Sequence, residues 1–135
     1  MAATTPTKEK PRQTLEQQRA QDAWECAGAG IAQHYKDYVN DAKGLPALIM
    51  NSGLMQVMAY LEDKGGRHHT LAQHLRRWLH QRFPQQLPSA DFPAFMQALM
   101  KVAPGDYQAI TAEAFAWLRW LRQMAAARNG AGGKP

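Results

Sequence analysis

The sequence predicts an all-α fold, a compact single-domain bundle of five or six helices around a central apolar helix. Apolar residues recur at intervals of three and four along most of the chain, and no alternating apolar and polar run bounded by turns is present. At 135 residues, 45% of them hydrophobic, the chain suits one core better than two. We expect the domain to span residues 14–128, between a Thr-, Pro- and Lys-rich tail (residues 1–13) and a Gly-rich tail (residues 129–135).

The first predicted helix starts at Thr14, where the order Thr-Leu-Glu-Gln forms a capping box. Apolar residues at helical spacing continue from Ala20 to Ala42. One long amphipathic helix is therefore expected, running to about Asp41 and ending near Gly44.

The second predicted helix, from about Pro46 to Glu62, is apolar on every side. It lies in the stretch GLPALIMNSGLMQVMAYLED, and a helix of this kind has to be covered all round. We therefore expect it to be the central helix on which the others pack. Pro46 is tolerated in a first turn. Gly53 lowers helix propensity by about 1 kcal/mol, and we expect it to let a neighbouring backbone approach closely.

Three more helices follow along the chain. The third is predicted over residues 68–82, and the fourth begins after Ser89 or Asp91 and ends at a turn at residues 103–106. The last is strongest over residues 111–128. Together with the first two, they make five helices within the predicted bundle of five or six.

The apolar arcs of these helices carry the aromatic residues and one carboxylate. All four tryptophans are predicted to be core residues: Trp24, Trp78, Trp117 and Trp120. Glu113 projects between Trp117 and Trp120, and a buried carboxylate needs a partner. Arg19, at the edge of the first helix's apolar arc, is the candidate, so we expect Arg19 and Glu113 to form a structural ion pair.

Charge and cysteine content narrow the classes of function. The formal net charge of +5 and the pI near 9.6 favour a polyanionic partner such as nucleic acid. The one cysteine, Cys26, cannot form an internal disulfide, which is typical of a reducing compartment, and we expect a cytoplasmic protein. The N-terminus has no apolar h-region and polar residues interrupt the stretch at 44–63, so neither a signal peptide nor a membrane span is predicted.

No catalytic, cofactor or metal site is predicted. His68, His74 and His80 are spaced six apart, which does not put two ligands on one helix face. A nucleophile elbow, a P-loop and a dinucleotide fingerprint are absent, and nothing near Cys26 indicates activation. We therefore expect a protein that is not an enzyme, and a metal-dependent nuclease remains the enzymatic alternative.

Two helix faces are candidates for binding a polyanion. On the third helix Arg76 and Arg77 project with His69, Gln73 and His80, opposite the leucine arc. On the last helix three residues follow at i, i+4 and i+7, where two arginines can grip phosphate and the ring can stack on a base or enter a partner's pocket: Phe115, Arg119 and Arg122. Six further basic residues are candidates for contacting RNA: Lys36, Lys43, Lys64, Arg67, Arg82 and Lys101.

Three blocks of the sequence resemble, in the same order, the signature blocks of the small subunit of the type III-B CRISPR effector, the Cmr ribonucleoprotein complex. The blocks are TLEQQRAQDAWE (14–25), GLPALIMNSGLMQVMAYLED (44–63) and TAEAFAWLRWLRQMA (111–125), and the middle block is the specific one. The resemblance implies an all-helical, non-catalytic subunit. It also implies that copies stack as a filament along the channel in which target RNA pairs with guide RNA.

The resemblance implies several partners: copies of the subunit itself, the backbone and large subunits of the complex, and guide and target RNA. Because base pairing reads the sequence, the subunit needs only cationic groups that follow the RNA backbone. The family has no short RNA-binding motif, so the candidate residues rest on helical projection. The alternative is a stand-alone helical protein–protein interaction module without nucleic-acid binding, whose basic faces are only solvated.

Overall fold

The structure, a computed structural model, describes residues 12–132, and that range forms six helices without a β-strand. The helices are α1 (Leu15–His34), α2 (Lys36–Ser52), α3 (Leu54–Lys64), α4 (Gly66–Arg82), α5 (Phe92–Lys101) and α6 (Pro104–Gly132). The all-α prediction of five or six helices is therefore confirmed. Most of the predicted N-terminal tail and the last three residues of the predicted C-terminal tail lie outside the described residues. None of the six helices is long and apolar enough to cross a membrane.

Helix α1 begins with the predicted capping box and ends earlier than expected. Thr14 Oγ1 accepts from the backbone N–H of Gln17 (3.1 Å), and Gln17 Oε1 accepts from the backbone N–H of Thr14 (2.8 Å). The predicted continuation to Asp41 is wrong, because Tyr35 adopts φ +55° and the chain reverses there. The apolar arc continues across the break because α2 returns against α1 and buries Tyr38 in the same core.

Gly53 divides the second predicted helix into two. Helix α2 ends at Ser52, with Pro46 inside it, and α3 begins at Leu54. Gly53 has φ +86°, a conformation that side chains with a Cβ rarely adopt. The expected close approach of a backbone is wrong: a Cβ at Gly53 would meet only Tyr107 Oη, at 3.8 Å. Glycine is needed there for its backbone conformation rather than for space.

The apolar residues of α2 and α3 are not covered all round, so the prediction of one central apolar helix is wrong in that respect. One side of each helix is buried, through Leu45, Ile49, Leu54, Val57, Met58 and Leu61. The other side leaves Leu48, Met50 and Tyr60 at 41%, 75% and 46% exposure. The change of direction at Gly53 turns each helix so that only its own inner face meets the core.

Helix α6 is the longest element, and α1 and α2 pack along it. Arg19, Asp22 and Trp24 of α1 contact residues of α6 in the same chain order, so the two helices run parallel. The fully buried Trp117 donates its Nε1–H to Asp22 Oδ2 at 2.8 Å. Helix α6 also continues to Gly132, four residues into the predicted Gly-rich tail. Arg128 contacts α1 through Trp24, and the helical hydrogen bonds of α6 continue beyond that residue.

The predicted partner of Glu113 is present. Arg19 donates from Nε to Glu113 Oε2 (2.8 Å) and from Nη2 to Oε1 (2.7 Å), and Trp78 Nε1–H donates to Oε2 (3.0 Å). Glu113 is 6% exposed. One carboxylate therefore joins α1, α4 and α6 inside the bundle.

Tyr38 and His74 form a buried hydrogen-bonded pair between α2 and α4. Tyr38 Oη and His74 Nδ1 are 2.8 Å apart, and the rings pack edge to face. Burial raises the pKa of Tyr38, so the hydroxyl keeps its proton and donates to Nδ1. Burial, together with the charges of Arg77 and His34, lowers the pKa of His74 from 6.5 to about 4. The folded protein therefore holds His74 neutral at pH values where the unfolded chain protonates it.

The free energy of unfolding should therefore fall as the pH is lowered from 6.5 towards 4, the two pKa values of His74. Between pH 6.5 and 5.5 the expected loss is about 1 kcal/mol, because the unfolded chain takes up a proton there and the folded chain does not. His74→Gln removes this contribution, and urea unfolding across the pH range measures it. His69→Gln is the control and should keep the wild-type slope. Equal slopes for wild type and His74→Gln would contradict the assignment.

Candidate nucleic-acid interface

A cleft of about 480 Å³ lies between α2 and α6 and brings the predicted residues of the last helix together. Its lining consists of Pro46, Met50, Ala112, Phe115, Arg119 and Arg122. The residues at 115, 119 and 122 share one face of α6, while those at 46 and 50 are one turn apart on α2. We call this feature the α2–α6 cleft. It combines apolar surface with two guanidinium-bearing side chains.

Both arginines of the α2–α6 cleft are available to an external anion. Arg119 and Arg122 are exposed. Neither is among the ion pairs formed within residues 12–132. Arginine offers several N–H donors in a fixed plane, which suits bidentate binding of a phosphate.

Lys36 and Lys43 extend the positive charge from the α2–α6 cleft along α2. Together with Met50 they follow a seven-residue spacing, which keeps all three on nearly the same side of the helix. Each step is about 10 Å at the helical rise of ~1.5 Å per residue. Both lysines are exposed, and neither belongs to an ion pair in the described part of the chain. We call Lys36, Lys43, Arg119 and Arg122 the cationic face.

Arg76 is buried, so the prediction that it lies on an exposed basic stripe is wrong. It is 3% exposed, donates from Nε to the Ala90 carbonyl (2.8 Å) and from Nη1 to Glu62 Oε1 (3.3 Å), and stacks 5.6 Å from the Phe92 ring centroid. Burial lowers the pKa of Arg76, and Glu62 opposes that shift. Arg76 instead ties α4 to the segment at 83–91 and to α5, which folds over this side of the helix.

The rest of the predicted stripe on α4 is divided among different neighbours. Arg77 is exposed, but its Nη2 lies 3.8 Å from Cys26 Sγ on α1. His69 Nδ1 is 3.2 Å from Glu62 Oε1, and His80 Nδ1 is 2.6 Å from the Leu87 carbonyl. These residues therefore do not form one continuous cationic surface.

Three of the remaining basic candidates have partners within the protein. Arg67 contacts Asp37 (3.3 Å) and Asp41 (3.0 Å). Arg82 Nε is 3.9 Å from Glu113 Oε1, and Lys64 Nζ lies 5.8 Å from the Tyr60 ring centroid. The last candidate, Lys101, is exposed at the end of α5. These four do not line the α2–α6 cleft.

Trp24 and Arg128 form a surface pair that the sequence did not indicate. Trp24 is 44% exposed, so its prediction as a core residue is wrong. The Arg128 guanidinium lies 4.2 Å from the Trp24 ring centroid and donates to the Trp24 carbonyl at 3.0 Å. Gly28, one turn further along α1, leaves room for this guanidinium, because a Cβ there would come within 2.6 Å of Arg128 Nη1.

The structure of residues 12–132 shows neither a metal site nor a reactive thiol. No group of three or more His, Cys, Asp or Glu side chains in residues 12–132 is arranged to hold a metal ion. Burial, followed by the charge of Asp22, raises the pKa of Cys26 to about 12, so the thiol stays protonated at neutral pH.

Comparison with known proteins identifies the family. A family model described as CRISPR-associated protein (Cas_Cmr5) matches residues 15–128. The fold is similar to the crystal structure of a CRISPR-associated Cmr5 family protein from Thermus thermophilus, with 25% sequence identity and a TM-score of 0.69. That match covers 86% of this chain and 97% of the Thermus chain. None of the curated proteins compared with this chain matches it. The match over most of the helical domain shows that this chain belongs to the Cmr5 family of CRISPR-associated proteins, the small subunits of the type III-B Cmr complex.

Proposed function

We propose that this protein is a non-catalytic small subunit that contacts the RNA backbone of a Cmr effector complex through its cationic face. Family membership supports the small-subunit role. The observation that carries the RNA contact is the set of four exposed cations on adjoining sides of α2 and α6: Lys36, Lys43, Arg119 and Arg122. The working partners are guide and target RNA, the backbone and large subunits, and further copies of this chain.

The chemistry of the cationic face suits a partner whose sequence is read elsewhere. Lysine and arginine bind phosphates without regard to the bases, and the affinity comes from counterion release. In an RNA-guided complex, base pairing between guide and target supplies the sequence specificity. A surface that holds the backbone in position therefore needs no catalytic group and no base-reading side chain.

Stacking of copies would use a different surface from the cationic face. Leu48 and Tyr60 border a second cleft, between α2, α3 and α4, and both are more than 40% exposed. Exposed apolar side chains beside a concavity are typical of protein contact sites. This surface supports the proposal that copies stack as a filament while RNA occupies the cationic face.

Salt dependence of RNA binding tests the proposal. The logarithm of the protein's affinity for a single-stranded RNA should fall linearly with the logarithm of the salt concentration. The double variant Arg119→Gln/Arg122→Gln should reduce the magnitude of that slope by about 1.4, or about 0.7 for each phosphate that the protein no longer neutralises. Fluorescence anisotropy over a salt series measures it.

The matched control for that experiment is the double variant Lys64→Gln/Lys101→Gln, which removes the same charge from other surfaces. It should leave the slope close to that of the wild type. Equal changes in the two double variants would mean that only net charge matters and would contradict a defined face. Absence of RNA binding at every salt concentration would favour the helical protein–protein interaction module instead.

A further inference from the structure

We propose that the α2–α6 cleft receives one unpaired nucleotide of the bound RNA, with its base against Phe115 and its 5′ and 3′ phosphates on Arg119 and Arg122. This inference rests on the proposed RNA contact and adds a position at which a base leaves the paired strand. It assigns a ligand class, a nucleotide, to a defined cavity.

The apolar part of the cleft is suited to a flat ring. Met50 is 75% exposed and Phe115 is half-buried, so much apolar surface faces solvent. The volume of about 480 Å³ is within the range of cavities that hold small ligands. A base that stacks on the Phe115 ring would remove this surface from water, and such stacking contributes to affinity in proteins that bind single strands.

The charged part of the cleft suits an anion beside that ring. Arg119 and Arg122 are three residues apart on α6, so their guanidinium groups are neighbours on one face. Neither is neutralised by a carboxylate in the described part of the chain. A nucleotide within a strand carries a flat base joined through its sugar to a phosphate on each side, which matches the apolar and the charged parts of the cleft.

The position of the lysines favours RNA over an acidic protein segment. An acidic side chain with an apolar neighbour could also occupy the cleft, but it would need no further cations. Lys36 and Lys43 continue from Met50 along the same side of α2 in steps of about 10 Å. A row of cations that leads away from the cleft suits a strand with regularly repeated phosphates.

The lining also indicates that the nucleotide would be accepted whatever its base. The side chains at 46, 50, 112 and 115 are Pro, Met, Ala and Phe, and none of them offers a strong hydrogen-bonding group to a base edge. The two arginines are engaged by phosphate in this arrangement. We therefore expect stacking without a sequence preference, as in other proteins that bind single strands.

Two independent changes test the inference, one in the protein and one in the RNA. Phe115→Leu keeps an apolar side chain but removes the ring, and it should weaken binding of single-stranded RNA roughly fivefold or more while the salt slope stays unchanged. Abasic RNA keeps the sugar–phosphate backbone but has no bases, so it should bind the wild type more weakly than normal RNA does. It should bind the wild type and Phe115→Leu with equal affinity. Phe92→Leu, a half-buried phenylalanine on α5, is the matched control, and thermal unfolding checks that both variants fold.

The outcomes separate this inference from the proposed function. Salt-dependent binding that is equal for normal and abasic RNA, or for Phe115→Leu and Phe92→Leu, overturns the nucleotide site and leaves the backbone contact intact. Loss of self-association in Phe115→Leu with unchanged RNA affinity, measured by sedimentation, overturns it in favour of a protein contact. If the wild type binds neither RNA, the backbone contact fails and this inference fails with it.

Discussion

Glu113→Gln should lower the free energy of unfolding by about 3 kcal/mol, because it leaves Arg19 without its counter-charge in a largely buried site. The carboxylate accepts two hydrogen bonds from Arg19 and one from Trp78 Nε1–H. An amide can accept fewer of these bonds, and its NH₂ group would face the donors. Urea unfolding at neutral pH measures the difference.

The difference in free energy of unfolding between wild type and Glu113→Gln should depend on pH. Burial alone would raise the pKa of Glu113, but the hydrogen bonds from Arg19 and Trp78 and the charges of Arg19 and Arg82 outweigh it, so the pKa lies below its ordinary value of 4.5. The carboxylate therefore stabilises the folded protein fully above pH 4.5, and the contribution is lost as the pH falls through the lower, folded-state pKa. The gap between wild type and Glu113→Gln should shrink in acid.

Glu25→Gln, on the exposed side of α1, is the control for this substitution. Its only described partner is the exposed Gln21, so the expected change lies within about 0.5 kcal/mol. Similar losses for Glu25→Gln and Glu113→Gln would mean that the Arg19–Glu113 pair has no special structural role.

The Arg19–Glu113 pair could be predicted because the projection of a single helix shows when a charged residue lies on its apolar side. Projection of α6 puts Glu113 among tryptophans, and any carboxylate in that position needs a cation. The fold class and the start of α1 were predictable for a similar reason, since apolar spacing and the capping box at Thr14 are local signals. Local chemistry of this kind does not depend on how the helices are arranged.

The breaks at Tyr35 and Gly53 could not be predicted in the same way. Tyr35 adopts a positive φ that its residue type does not favour, so the local sequence does not indicate a break there. Gly53 is visible in the sequence, but glycine inside a helical pattern indicates either a break or a close contact. The apolar periodicity continues across both positions because the segments on each side face one core.

Arg76 and the α2–α6 cleft show why exposure was harder to predict than helicity. Projection places Arg76 opposite the leucines, but the aperiodic segment at 83–91 and α5 cover that side of α4. Met50 belongs to a helix that was expected to be fully covered, yet it lies in the cleft beside Phe115. Which polar faces remain open depends on contacts between distant segments, and helical periodicity contains no information about these contacts.

Gly30→Ala should lower the free energy of unfolding by about 2 kcal/mol, because an overpacking cost of about 3 kcal/mol is partly offset by a gain of about 1 kcal/mol in helix propensity. A Cβ at Gly30 would overlap the ring of Tyr38, with three ring atoms well inside contact distance. Tyr38 is fully buried and hydrogen-bonded to His74, so the ring cannot swing away without breaking that bond. The clash therefore has to move α2 away from α1. The free-energy cost of this movement exceeds the gain of about 1 kcal/mol in helix propensity.

Gly28→Ala, two residues earlier on α1, separates this packing effect from helix propensity. A Cβ at Gly28 would come within 2.6 Å of Arg128 Nη1, but that atom ends a long, flexible side chain at the surface. Arg128 can move off Trp24 at the cost of one cation–π contact and one exposed hydrogen bond, together about 1 kcal/mol, which offsets the propensity gain. Chemical denaturation should therefore find Gly28→Ala within about 0.5 kcal/mol of the wild type. If the two alanine variants were equally stable, the Tyr38 ring would have room for a Cβ at Gly30, and the predicted clash would be contradicted.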